Sequence, residues 1–316
     1  MVVSGYCFRT RDTVQILLWT QLIDKLEEAL LWTGATKGRA PELLRLAREF
    51  FEDGTRSTTH ILAVNEANEL IEIACLWQQQ ISQFPGLLDR IRNSISKGPV
   101  LSDQEVPDSQ GKHPRNLYFN YYVGGCLLGA GFDVLCVDGI TRTDTHDLAP
   151  SDVVLRWDSR TVRIECKRPQ TPTGLKRCLR DAARQLEDEV PGYGIAAVEC
   201  SHLVRPRGTI LRGPSADEAW GRLDQRVHRD VMPIVTETSR PSILGALVVA
   251  RSPAAIEAGR SRVLLPSGHP VRSFRIFSIS SWTVWVSGDT RLGAFLKETE
   301  TRLDSFLATL AQPGYL

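Results

Sequence analysis

Residues 150–168 read PSDVVLRWDSRTVRIECKR, and the fold turns on how they are paired. Two β-branched and apolar runs, Asp152 to Trp157 and Thr161 to Lys167, flank the polar pair Asp158 and Ser159. That is the pattern of a β-hairpin with a two-residue turn. With 158 and 159 as the turn, Trp157 faces Arg160 and Asp152 faces Glu165. Side chains alternate along a strand, so Arg163, Glu165 and Lys167 share a face with Asp152, while Val162, Ile164 and Cys166 point the other way, into a core. Two carboxylates directly opposite each other repel, which marks Asp152 as the acid that most disfavours the metal-free fold.

The pair needs a compensating cation. Lys167 is one candidate, and a divalent metal is the better one. Two acids, a backbone carbonyl such as that of Cys166, and water are hard oxygen ligands that suit Mg2+ or Mn2+. Phosphodiester hydrolysis requires such a centre: a metal to draw charge from the phosphate and activate water, with an ammonium nearby to orient the water or stabilise developing charge. The competing reading of the same residues is a salt bridge on an ordinary hairpin.

Outward from the hairpin, Arg115 to Gly129 is a compact helical pattern and Phe132 to Val137 a short strand. Downstream, Pro172 and Thr173 open a helix to Val190, and Ile195 to Cys200 is an apolar strand. This order, together with Pro150-Ser151-Asp152, twelve intervening residues and Glu165-Cys166-Lys167, resembles the PD-(D/E)xK, or restriction endonuclease-like, nuclease superfamily over residues 113–200. The resemblance implies a core of helix, three strands, helix and strand. It makes Asp152 and Glu165 the metal-binding acids and Lys167 the catalytic lysine. It favours DNA as the substrate, with RNA left open, and points to restriction, repair or antiviral defence. Asn120 stands where many members carry a glutamate on the first core helix; an amide brings no negative charge, which leaves a one-metal site intact and puts a two-metal site in doubt. Gln185 is a second accessory candidate, because some members send a glutamine from the helix after the hairpin to the site. The superfamily also contains members that kept the fold and lost the chemistry, so a silent nucleic-acid-binding or partner-docking subunit is the alternative.

Further out, residues 1–98 read as helix after helix: Thr13 to Trp32, a segment from Pro41 to Gly54, one capped by Ser57 or Thr58 and running to Leu76, and Leu87 to Ile95. Residues 99–114, rich in Gly, Pro and Ser, read as a linker crossed by few contacts. The expected division is an all-helical domain over 1–98 and an α/β domain with a mixed sheet over 115–316. The latter adds a helix from Ala216 to Ser239, strands at Ile243–Ala250 and Phe274–Val286, and a closing helix from Thr290 to Leu310.

The chain's 316 residues, 42% hydrophobic and 24% charged, exclude collagen, low-complexity disorder and coiled coil. The apolar runs are too short and too Gly-rich to span a bilayer, which points to a cytoplasmic protein without a membrane partner. Seven scattered cysteines fit neither a disulfide framework nor a zinc site. Net charge is divided: residues 1–110 hold 11 Lys and Arg against 15 Asp and Glu, so the basic excess lies in the second part. Ser159 to Arg184 alone has eight cations and two acids. On the helix after the hairpin, Arg177, Arg180 and Arg184 form an outer stripe suited to phosphates, while the acidic helices suit a protein partner or a second copy of the chain. His202 reads as a strand-end surface histidine, and Trp282 and Trp285 as core.

Overall fold

The computed structural model describes residues 6–8, 19–53, 57–105, 114–145, 148, 151–187, 193–238, 245–264, 270–286 and 290–310. After a short strand, β1 (Tyr6–Phe8), come four helices: α1 (Trp19–Thr33), α2 (Arg39–Phe51), α3 (Thr58–Trp77) and α4 (Leu87–Ser96). Ser57 caps α3, its hydroxyl accepting from the backbone N–H of His60. The α/β part runs α5 (Pro114–Gly129), β2 (Asp133–Val137), β3 (Ile140–Thr141), β4 (Val153–Trp157), β5 (Arg160–Lys167), α6 (Pro172–Glu187) and β6 (Tyr193–Glu199). It continues with α7 (Ser201–Val204), β7 (Leu211–Gly213), α8 (Ala216–Arg226), α9 (Met232–Thr238), β8 (Gly245–Leu264), β9 (Pro270–Val286) and α10 (Thr290–Leu310). The protein is thus mixed α/β, with an N-terminal helical region and one mixed sheet.

Strand order is β1-β9-β8-β6-β5-β4-β2-β3, with β7 paired to β8 off this path. The hairpin takes the expected register, Trp157 opposite Arg160 and Val153 opposite Ile164. Asp158 and Ser159 both have positive φ, 45° and 61°, the conformation a two-residue turn between right-twisted strands demands. β5, β6 and β8 are parallel, with Lys167 level with Val198 and Val198 level with Val248.

Helices cover both faces of the sheet. On one, Val153, Val162, Ile164 and Cys166 pack with α5, α10 and the N-terminal helices. On the other, α6, α8 and α9 pack over Ala196, Val198, Ala246 and Val248. The face of β5 carrying Arg163 and Glu165 is therefore buried as well, and Arg163 donates from Nη2 to the carbonyl of Leu186 at 2.8 Å.

The helical region and the sheet share one core, in which Leu26, Leu43 and Trp77 pack with Tyr121, Val134 and Ile164. The 99–114 segment, expected as a linker, is described to residue 105 and from 114. There it is packed, with Leu101 and Glu105 buried. Arg115 ties it in, pairing with Glu105 at 2.6 Å and with Glu66 of α3. Arg205 holds Asp103 at 2.7 Å, and Arg251 reaches back to Glu72. Gly, Pro and Ser signal irregular backbone; they carry no information on what packs over it.

Two other expectations are corrected. The helix expected from Ala216 onward is interrupted by a π-turn at Val227–Val231. Pro233 follows one residue later, after Met232; it cannot donate to the carbonyl four residues back, and the wider turn absorbs the mismatch. The late strands run longer than expected: β8 continues through Pro253 and Gly259 to Leu264, and β9 begins at Pro270. No helix among the described residues is long and apolar enough to cross a membrane.

Burial alone would raise the Glu66 carboxyl, but Arg115 and Arg39 outweigh it and hold it at about 2. Arg115→Met is expected to cost about 3 kcal/mol in denaturant unfolding, because Glu66 and Glu105 each lose a buried partner and are left to Arg39 and Arg168 alone. A loss under 1 kcal/mol would show that the pairs do not join the two regions.

Candidate active site at the end of the central hairpin

Asp152 lies one residue before β4, and Glu165 and Lys167 close β5, so the hairpin register brings all three together. Lys167 Nζ is 2.7 Å from Glu165 Oε2 and 3.5 Å from Asp152 Oδ2. Side-chain exposure grades outward, 5% for Glu165, 16% for Lys167 and 26% for Asp152, so solvent reaches the group from the Asp152 side. Burial alone would lower the Lys167 ammonium, but the two carboxylates outweigh it and hold it above the usual lysine value. Glu165 is pushed above the usual carboxylate value by burial and then by the charge of Asp152, against the pull of Lys167.

Asp152, expected to repel Glu165 across the hairpin, also has two hydrogen-bond donors that the register did not reveal. Its Oδ2 accepts from the backbone N–H of Cys166 at 2.8 Å, and its Oδ1 accepts from Asn120 Nδ2 at 3.0 Å. Both oxygens of Asp152 are thus held by donors, one from the backbone of β5 and one from α5. Asn120, buried on α5, therefore acts here as a donor that orients Asp152.

Asp152, Glu165 and a backbone carbonyl are the donors that could hold a divalent cation. A strand residue directs its N–H and C=O to the same side, so the Cys166 carbonyl faces the Asp152 side, where its N–H already bonds. Two carboxylates and a carbonyl leave the remaining positions to water, the pattern Mg2+ favours. Among the described residues no cluster of three or more His, Cys, Asp or Glu side chains is gathered for a metal. The Cys166 thiol itself is buried in the core and raised far above the usual thiol value by burial, which removes it as a nucleophile.

Asp138 is the residue sequence reasoning missed. It sits at the end of β2 with φ 52°, its N–H donates to the Asp152 carbonyl at 2.8 Å, and its carboxylate accepts from Tyr121 at 2.9 Å. Burial raises its carboxyl, and Asp152 adds to the shift. The signal was the Asp138-Gly139 dipeptide, a turn marker directly after a strand.

Other candidates fall elsewhere. α6 runs back along β5, with Leu186 beside Arg163 and Cys178 within electrostatic reach of Lys167. Gln185 is accordingly at the far end of α6 and exposed, away from the three residues. Arg177, Arg180 and Arg184 are exposed as an outer stripe, with Arg184 paired to Asp181. Arg168 is no part of a basic face: it is buried against Glu105 at 2.6 Å and Glu199 at 2.9 Å. His202 is half-buried beside it, its ring nitrogen 3.0 Å from the guanidinium; burial, then Arg168, lowers its pKa. Trp282 and Trp285 are buried as expected.

No protein-family model, curated protein or solved structure matches the chain.

A carboxyl whose folded pKa exceeds its unfolded pKa binds protons more tightly when folded, so stability falls as pH rises between the two values. Glu165→Gln should therefore raise the Tm at pH 7 without divalent cations, and the gain should vanish below the usual glutamate pKa. A lower Tm at pH 7 would show that the Lys167 pair outweighs burial.

Proposed function

We propose that the chain is a metal-dependent nuclease that hydrolyses phosphodiester bonds of DNA on a PD-(D/E)xK, restriction endonuclease-like core. One observation carries this reading: the meeting of Asp152, Glu165 and Lys167 at the carboxyl end of β5. The element order supports it. α5, β2, β4, β5, α6 and β6 follow the superfamily's helix, three strands, helix and strand, with β4 antiparallel to both neighbours and β6 parallel to β5. A setting in restriction, repair or antiviral defence follows from that resemblance alone.

Asp152, Glu165 and the Cys166 carbonyl would hold Mg2+ or Mn2+. Once bound, such an ion withdraws charge from a phosphate and makes water more acidic. The chain's own groups do the rest. Asn120 and the Cys166 N–H keep Asp152 oriented, and Lys167, held protonated by both acids, presents a fixed positive charge to a phosphate or its attacking water. Arg177 and Arg180, with Arg184 where it releases Asp181, are the stripe on α6 for flanking phosphates. Docking of a protein partner or second copy through the N-terminal helices has a narrow footing. A standard interface takes about 800 Å2 from each side, and among the described residues Leu31 is the one large exposed apolar side chain, 84% exposed.

Asn120 favours a second reading, in which the fold binds nucleic acid without cutting it, since its amide replaces a carboxylate. Incubation with linear, circular and single-stranded DNA and with RNA, with and without Mg2+ or Mn2+, separates the two. Cleavage is expected only with metal, and Glu165→Ala or Lys167→Ala should each lower its rate about a hundredfold or more. Binding without cleavage under every condition would establish the second reading, and wild-type rates in either folded variant would end the assignment.

A further inference from the structure

We infer that Arg207 is a phosphate-binding residue: Gln170 holds its guanidinium in place with the charge left whole, ready for a backbone phosphate of the strand that reaches Lys167. This rests on the nuclease reading and adds to it a contact that positions the substrate. Arg207 is exposed on the loop after α7, at the carboxyl ends of the parallel strands, where α/β sheets commonly place ligands. Its Nη2 donates to Gln170 Oε1 at 2.9 Å, and among the described residues no acid pairs with it.

That choice of partner sets it apart. Arg45, Arg184, Arg222 and Arg229, also exposed, each lie against an acid one to four residues away. A carboxylate would order Arg207 equally well, but it would cancel the charge that an anion needs. A neutral amide oxygen orders the side chain and leaves the charge available. Ordering a long side chain is a cost of binding, and here it is met before the ligand arrives.

Both ends of this hydrogen bond are anchored. Gln170 Nε2 donates to Glu105 Oε2 at 3.1 Å, which turns the amide oxygen to Arg207, and the same carboxylate oxygen accepts from Arg168 at 2.6 Å. On the other side the loop is clamped to Asp103, which accepts from Arg205 Nη2 at 2.7 Å and from the Gly208 N–H at 2.6 Å. Arg205 and Gly208 bracket Arg207, and Gly208 makes the turn with φ 69°. Gln170 comes three residues after Lys167, a span of at most about 11 Å. The guanidinium is thus registered against the lysine within one turn of duplex DNA, about 34 Å.

The test uses the full chain in Ca2+, with fluorescence anisotropy on duplex DNA and its single strand over a series of salt concentrations. A second set of strands carries an uncharged methylphosphonate in place of one phosphate at a time. The variants are R207Q, R207K and Q170E. R207Q is expected to bind about fivefold or more weakly, with a log–log salt slope lower by about 0.9 on duplex or about 0.7 on single strand, the loss of one phosphate. One methylphosphonate position should weaken the wild type and leave R207Q unaffected. R207K should keep most of the slope, and Q170E, which keeps the arginine and cancels its charge, should behave as R207Q does. Affinity and slope unchanged in R207Q, or no position whose effect it removes, would overturn the contact while leaving wild-type cleavage, and so the nuclease reading, in place. Wild-type binding by Q170E would overturn the role given to Gln170. Should Q170E unfold early beside Glu105, Q170M frees the arginine without adding a charge and is expected to weaken binding with the slope kept. Inorganic phosphate bound by the wild type and not by R207Q, with DNA binding alike in both, would make this a site for a free anion and overturn the substrate role. A wild-type chain that neither binds nor cuts any nucleic acid would take down the nuclease reading and the contact together.

Discussion

One chain of buried charges holds the helical region to the working end of the sheet. It runs from Glu66 on α3 to Arg115 on α5, from Arg115 to Glu105, from Glu105 to Arg168, and from Arg168 to Glu199 at the end of β6. Arg168 directly follows Lys167, so the backbone that presents the lysine is anchored through acids on elements far away in sequence. Buried ion pairs add little net stability over well-packed apolar groups, since desolvation offsets the attraction, but breaking one is costly. What this network supplies is register: α3 and the 99–105 segment cannot slide over the strand ends without stranding a charge.

The same network decides what the neighbouring cavity is. It measures about 40 Å3 and is lined in part by Arg168, His202, Arg205, Arg251, Tyr118 and Tyr122. Its position, at the carboxyl ends of the parallel strands β5, β6 and β8, is where α/β sheets commonly place ligands. Its arginines, however, are already opposed: Arg205 by Asp103, Arg168 by Glu105 and Glu199, and Arg251 by Glu72. With acid matched to base, the pocket has little electrostatic appetite for an anion. An anion is better met at Lys167 and along the exposed arginines of α6.

What could be read from the residues alone was local. The hairpin register followed from the period of two and the Asp158-Ser159 turn, and it placed Asp152 opposite Glu165. On α6, Leu175, Leu179, Ala182, Ala183 and Leu186 are buried at the three- and four-residue spacing of a core stripe, while Cys178, at the same spacing, is half-buried. Long-range polar pairing was illegible. Arg115 and Glu66 are 49 residues apart, and Arg168 and Glu105 are 63 apart; composition gives the signs of charges and not their partners. That is why Arg168 read as part of a basic face and 99–114 as a tether. Asp152 was half read for a related reason: repulsion from Glu165 was visible in the register, whereas its two hydrogen-bond donors come from a backbone amide and from a helix.

β1 carries a consequence for the order of assembly. Tyr6, Cys7 and Phe8 pair with Val284, Thr283 and Trp282, so β1 leaves the ribosome long before the strand it pairs with. During synthesis β1 must wait, its hydrogen-bonding groups open to any passing edge, until β9 has emerged. Contacts of such sequence separation are slow to form, and unpaired edges in the interval invite association with other chains. The β1 edge of the sheet can therefore close only once β9 has been made, and until then β1 is an open edge.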